Sequence, residues 1–330
     1  MRALVFGVLA MSACSSGGSL VYVANEKSGD IMVIDASGKD TIAGFIPVGK
    51  RPHSLSLTAD GRLLFVTTTG SPLPAPGEDV AKGTRDAAAD GVVVVDTETR
   101  KVLRTLPVGR DPQGVAVSAD GKRLLVASFD AGEVVAMDLV SLAVVRLRIG
   151  PRPRSIALRP DGAIAYVASQ GKLGVIDVRS LSELAAMAAV GLAPAVVVFS
   201  ADGKLAFVGE RDGRRVAILD AVQHAVVGSV ELGQTYLVGM ALSADGKTLL
   251  VTTGAGGSVI MIDVGTRHVT KVIEDVGGYT AGIGITADGK KVYVANIAAN
   301  DVAVLAGDTG KLIRRVPAGK WPMAVLVGAR

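Results

Sequence analysis

Apolar residues in this chain gather into runs of five to eight, rich in Val, Ile and Leu, and each run ends in Gly, Asp, Asn, Ser or Pro. Runs this short, with turn residues at both ends, predict strands and not helices. Residues 109–149 show the unit clearly. Gly109-Arg110-Asp111-Pro112 opens it, and Val115 to Ser118 forms a first strand, A. Ala119-Asp120-Gly121-Lys122 is a hairpin turn, because Asp-Gly suits the positive backbone dihedral that such turns need. Leu124 to Ser128 is strand B, Asp130-Ala131-Gly132 turns the chain, Glu133 to Asp138 is strand C, and Val144 to Ile149 is strand D. Four short antiparallel strands in about 40 residues predict one blade of a β-propeller.

The Asp-Gly turn recurs at Asp60, Asp120, Asp161, Asp202, Asp245 and Asp288, with a first interval of 60 residues and later ones of 41 to 43. Six units therefore carry it. The N-terminus adds Leu20–Asn25, Ile31–Asp35 and Ala43–Val48, which read as strands B, C and D without an A. The C-terminus adds Met323–Val327, an A strand with nothing after it. Joined, the two ends make a seventh blade and leave no open end to the array. The expected fold is all-β: one seven-bladed β-propeller over residues 20–330, four antiparallel strands per blade, with the terminal strands sharing a blade. The long first interval places an insertion at about residues 70–90 of the second blade.

Composition agrees with buried strands and tight turns: 49% hydrophobic, 4% aromatic, and 41 glycines in 330 residues. The 35 basic and 31 acidic residues are interspersed, for a net charge of +4. No basic tail or run of the kind that binds nucleic acid is present. The single cysteine, Cys14, excludes an internal disulfide. It follows Met1-Arg2, an apolar Ala3–Ala10 and the lipobox-like Met11-Ser12-Ala13, and it precedes the flexible Ser15-Ser16-Gly17-Gly18-Ser19. Residues 1–13 read as a lipoprotein-type signal peptide and 14–19 as a tether, with Cys14 as the lipid anchor of an exported, periplasmic, membrane-anchored protein. An ordinary secretory signal is the alternative. The apolar stretch is too short to span a bilayer as a helix.

Tyr22-Val23-Ala24-Asn25, Tyr293-Val294-Ala295-Asn296 and the Val-Gly-x-x-Pro openings of the units resemble the YVTN family of β-propellers. The seven units and the second-blade insertion further resemble the propeller proteins associated with PQQ-dependent catabolism. That resemblance implies an exported accessory to periplasmic oxidation or transport, with a small organic anion or another protein as partner. It does not specify a reaction, because propellers carry many unrelated sites.

Antiparallel alternation sorts the loops by face. D-to-A and B-to-C connections emerge on one face, A-to-B and C-to-D turns on the other. Strand A is innermost, so the D-to-A connections ring the channel. On that ring the expected ligand-binding residues are Arg51, His53, Arg110, Gln113, Arg152, Arg154, Tyr236, Tyr279, Lys320 and Trp321. A basic sector beside an aromatic one suits an organic anion, since guanidinium forks bind carboxylate and rings cover a flat body. The alternative is that these are ordinary solvated loop residues.

Other chemistry is poorly represented. There is no Cys-x-x-Cys-His, phosphate loop or Gly-x-Ser-x-Gly elbow, and three scattered histidines make no metal cluster. The strand C aspartates, Asp35, Asp96, Asp138, Asp177, Asp220 and Asp263, read as turn caps. The expectation is a binding or docking module with no catalytic residue, metal or cofactor. Two further readings stay open: a lactonase-like hydrolase, for which His53 and Asp111 are the available acid–base pair, and a haem-handling propeller of the d1-haem type.

Overall fold

The computed structural model describes residues 19–72, 84–187, 190–191, 193–211, 214–233 and 236–328. The expected signal and tether through residue 18, and residues 73–83 of the expected insertion, lie outside this set. The described residues form 28 strands, from β1 (Leu20–Asn25) to β28 (Pro322–Gly328), and one short 3-10 turn at Ala87–Ala89. The strands group into seven antiparallel four-stranded sheets. Among the described residues no helix is long and apolar enough to cross a membrane.

Six sheets are four consecutive strands each. The seventh has the order β28-β1-β2-β3, with β2 spanning Asp30–Asp35 and β3 spanning Thr41–Pro47. The two ends of the chain thus share a blade. β1 and β28 pair from Leu20↔Gly328 to Ala24↔Ala324, and the ladder continues past a bulge through Glu26 N–H to the Trp321 carbonyl at 2.8 Å. The inner strands are β4 (Pro52–Leu57), β8 (Pro112–Val117), β12 (Ser155–Leu158), β16 (Pro194–Phe199), β20 (Gly239–Leu242), β24 (Thr280–Ile285) and β28.

Middle strands are buried on both faces, so they read as continuous apolar runs and not as alternating patterns. Seven hydrophobic clusters result, and each joins two neighbouring blades. Phe207, for example, packs with Val216 of its own blade and with Leu249 and Ile260 of the next. No blade buries its faces alone, and the ring is held by seven equivalent contacts.

The turns confirm their sequence logic. Gly121 has φ +68° in the Asp120-Gly121 turn, and the Asp120 carboxylate accepts from Ser118 Oγ at 2.6 Å and Lys122 N–H at 3.1 Å. Asp138 accepts the N–H groups of Val140 and Ser141, at 3.0 and 2.8 Å, as a turn cap should. At two of the unit openings the glycine has a packing reason. A Cβ on Gly277 would lie 2.1 Å from Asn296 Oδ1, and one on Gly319 would lie 2.6 Å from Asn25 Nδ2. The close approach of the D-to-A connection to the end of strand B leaves no room for a side chain there.

Candidate functional site: the mouth of the central channel

At Pro52, Pro112, Pro153 and Pro322 the chain enters the inner strand through a proline. The residue before each proline is left-handed: Arg51 at φ +47°, Asp111 at +50°, Arg152 at +51° and Trp321 at +58°. Non-glycine residues pay for this conformation with roughly 1–2 kcal/mol each. In a regular strand, residues two apart would share one side. The left-handed turn breaks that relation. The residue after each proline, His53, Gln113, Arg154 or Met323, lines the channel, and the residue before it does not.

The channel encloses about 620 Å³, within the usual range of small-molecule sites. Its mouth carries His53, Gln113, Arg154, Arg211, Tyr236 and Tyr279. Arg154 lies with its guanidinium carbon 4.6 Å from the centre of the Phe129 ring. Burial, and then the nearby Arg211 charge, lower its pKa from the ordinary arginine value, yet arginine stays protonated in proteins. Arg211 stands 5.5 Å over the Tyr236 ring. Gly254 sits against Tyr236 and Tyr279, where an added Cβ would meet Tyr279 Cζ at 3.3 Å and Tyr236 Cδ1 at 3.4 Å. Among the described residues the channel wall holds two arginines and no carboxylate.

His53 lies among Glu26, Arg51, Arg154 and Asp111, and burial lowers its pKa below the ordinary 6.5. It is therefore neutral at pH 7, and its Nδ1 has no hydrogen-bond partner in the structure. Asp111 is occupied elsewhere. It accepts from Thr69 Oγ1 at 2.6 Å and Gln113 Nε2 at 3.1 Å, and no hydrogen bond joins it to His53.

The structure brings together His53, Gln113, Arg154, Tyr236 and Tyr279 from the ring residues singled out in the sequence. The other five lie outside the channel wall. Arg51 is held by Glu26, at 2.9 and 2.7 Å, and by the Ser71 and Pro72 carbonyls. Arg110 and Lys320 are exposed. Arg152 lies 5.8 Å from the centre of the Phe129 ring and shares a small pocket with Arg154 and Arg211 beside the mouth. Trp321 is covered by the Lys27 ammonium, 3.8 Å from its ring. Cys14 lies outside the described residues. Arg211 was missed because it sits on a B-to-C connection, which the sorting of loops places on the same face but not on the innermost ring.

A family model, the cytochrome D1 heme domain, matches residues 162–277. Antigen Lp49 of Leptospira interrogans is 31% identical over 109 residues, 33% of this chain and 23% of that protein. The chain thus matches less than a quarter of that relative's length. Solved structures match much more of it. Hydrazine synthase of Kuenenia stuttgartiensis superposes with a TM-score of 0.70 at 21% identity, over 84% of this chain and 95% of that one. A protein from Lactobacillus plantarum gives 0.75 at 19%, over 94% and 99%. One from Desulfotomaculum acetoxidans gives 0.74 at 13%, also over 94% and 99%. At these identities the likeness establishes the propeller fold.

The stretch matching the D1 heme model gives the channel Arg211, Tyr236 and the inner strands β16 and β20, but no imidazole. Its histidines, His224 and His268, lie at C-to-D turns on the opposite face. His224 Nδ1 is 2.7 Å from the Tyr166 hydroxyl. The one channel imidazole, His53, falls outside the matched residues.

Proposed function

We propose that this protein is a binding module which takes an organic anion in the mouth of its central channel. One observation carries the reading: Arg154, stacked on Phe129, faces a partly buried wall that holds a second arginine and no carboxylate among the described residues. A half-buried guanidinium beside a second arginine, with the nearby Asp111 carboxylate already bonded to Thr69 and Gln113, favours an incoming carboxylate bound by paired hydrogen bonds. Tyr236 and Tyr279 offer aromatic surface for a flat body, and neutral His53 offers a donor or acceptor. Calorimetric titration with benzoate and with PQQ tests this. Arg154→Gln is expected to weaken binding at least tenfold. Equal heats for wild type and variant would remove Arg154 from the site.

The setting belongs to the same proposal. The YVTN-like motifs and the second-blade insertion favour an exported accessory of periplasmic PQQ-dependent oxidation or transport. Lipid on Cys14 would hold it at a membrane. Leu20 pairs with Asp35 and Gly328, so β1 starts on the face opposite the channel mouth. An anchor five residues before Ser19 would then leave the mouth pointing away from the bilayer. Cys14→Ser moving the protein from the membrane to the soluble fraction checks the anchor.

The D1 heme match and the unpartnered Nδ1 of His53 favour haem as a second reading. His53 would supply a nitrogen to hold the iron, and Arg154 and Arg211 would receive the acidic side chains of the macrocycle. A Soret band on mixing with haem, lost in His53→Ala, would establish it. No geometry favours a hydrolase, since the one candidate acid–base pair, His53 and Asp111, is not joined.

A further inference from the structure

The channel is polar at one end only. His53, Gln113, Arg154 and Ser155 stand where their inner strands begin, and Tyr236 and Tyr279 stand just before β20 and β24. Further along the inner strands the wall includes Leu55, Val198, Leu242, Ile285 and Leu326, among glycines and alanines. These side chains are partly exposed although they belong to inner strands, while the faces between blades are fully covered. Each packs in part against a cluster between blades and lines the lumen with the remainder. The wall passes from two arginines to aliphatic carbon within one strand length, about 20 Å or less.

A ligand that matched only the mouth would leave this aliphatic wall wet. A ligand that matched only the wall would leave Arg154 without a directly paired carboxylate. We infer that the channel takes an amphiphilic monocarboxylate, with its head on Arg154 and its hydrocarbon body along Leu55, Val198, Leu242 and Ile285. This rests on the anion reading above and narrows it from flat anions to chain-bearing ones. The apolar body would be driven by area removed from water, at about fourfold in affinity per methylene. The head would set direction, because the lumen offers no second cation at its far end among the described residues.

The test is a titration series of hexanoate, octanoate, decanoate and dodecanoate, each below its micellar concentration, beside the alcohols of equal length. The Kd is expected to fall about fourfold per methylene, with each acid at least tenfold tighter than its alcohol. Arg154→Gln should abolish the difference between acid and alcohol and leave the chain-length slope. Leu242→Asn, or the near-isosteric Val198→Thr if the first variant folds poorly, should flatten the slope. Benzoate bound through Arg154 with no gain along the series would overturn the amphiphile and leave the anion site standing. If no carboxylate binds in an Arg154-dependent way, both fall together.

Discussion

Single residues in this repeat do different work according to the turn they occupy. His224 shows how far a residue's charge state is set by its neighbours. Burial and the Arg159 charge lower its pKa, partly opposed by Asp220, while the Tyr166 hydroxyl bonds its Nδ1. His53 is lowered for the same main reason, burial. A histidine whose folded pKa is depressed stabilises the fold above its unfolded pKa of about 6.5 and loses that contribution as pH falls. Acidification from pH 7.5 to 5.5 is therefore expected to lower the urea midpoint, and His224→Gln should reduce that pH dependence. Glu210 titrates with the opposite sign, since burial raises its pKa, so the difference between wild type and variant isolates His224. The turn aspartates Asp60, Asp120 and Asp138, lowered by hydrogen bonds from hydroxyls and backbone N–H groups, act only in a more acidic window. Their role was legible in the sequence because an Asx turn is decided within four residues. The hand-off from His224 to Tyr166 was not, because it joins residues 58 apart.

At the scale of the strand and its turn, local chemistry and tertiary contact can be separated by glycine substitution. Gly121 needs φ +68° and has only Thr58 Cγ2 near its missing Cβ, at 3.6 Å. Gly38, in a C-to-D turn, has no positive φ and nothing within 4 Å. Gly121→Ala is expected to cost about 1 kcal/mol, measured by urea unfolding, while Gly38→Ala should be neutral or slightly stabilising. Equal effects would show that the hairpin does not depend on its left-handed residue. The strands themselves were readable from the sequence, because each is a short apolar run between such turns. Their ends were readable to within a few residues: the inner strand expected at Val115–Ser118 begins at Pro112 and ends at Val117. It is longer because the bulge between Pro112 and Gly114 lets the pairing with strand B start at the proline.

For the whole molecule, closure is the decisive event. Each blade buries its faces only against neighbours, so an open ring would expose two apolar faces at once. β28 supplies the inner strand of the closing blade, and Val325 and Val327 pack against the cluster that joins that blade to the one before it. Removing residues 322–330 is expected to lower the melting temperature sharply and to broaden the transition. Val325→Asp should do the same by setting a charge into this partly buried packing, at about 1–3 kcal/mol. A truncated chain that melts like the wild type would show that the ring does not depend on its clasp.

The repeat period, the number of blades and the pairing of the two ends were determined by the sequence alone. Each follows from apolar runs and turns that recur at nearly constant spacing, and the count of half-blades at the termini admits one closed ring. Which ring residues face the lumen was decided only by the tertiary structure. A left-handed residue before Pro52 and before Pro153 reverses the side on which the next side chains emerge, so His53 and Arg154 line the channel wall while Arg51 and Arg152 stay off it. No periodicity records that reversal. It comes from a backbone dihedral, and Arg211 joins the site only because a loop of one blade lies beside the inner strand of another.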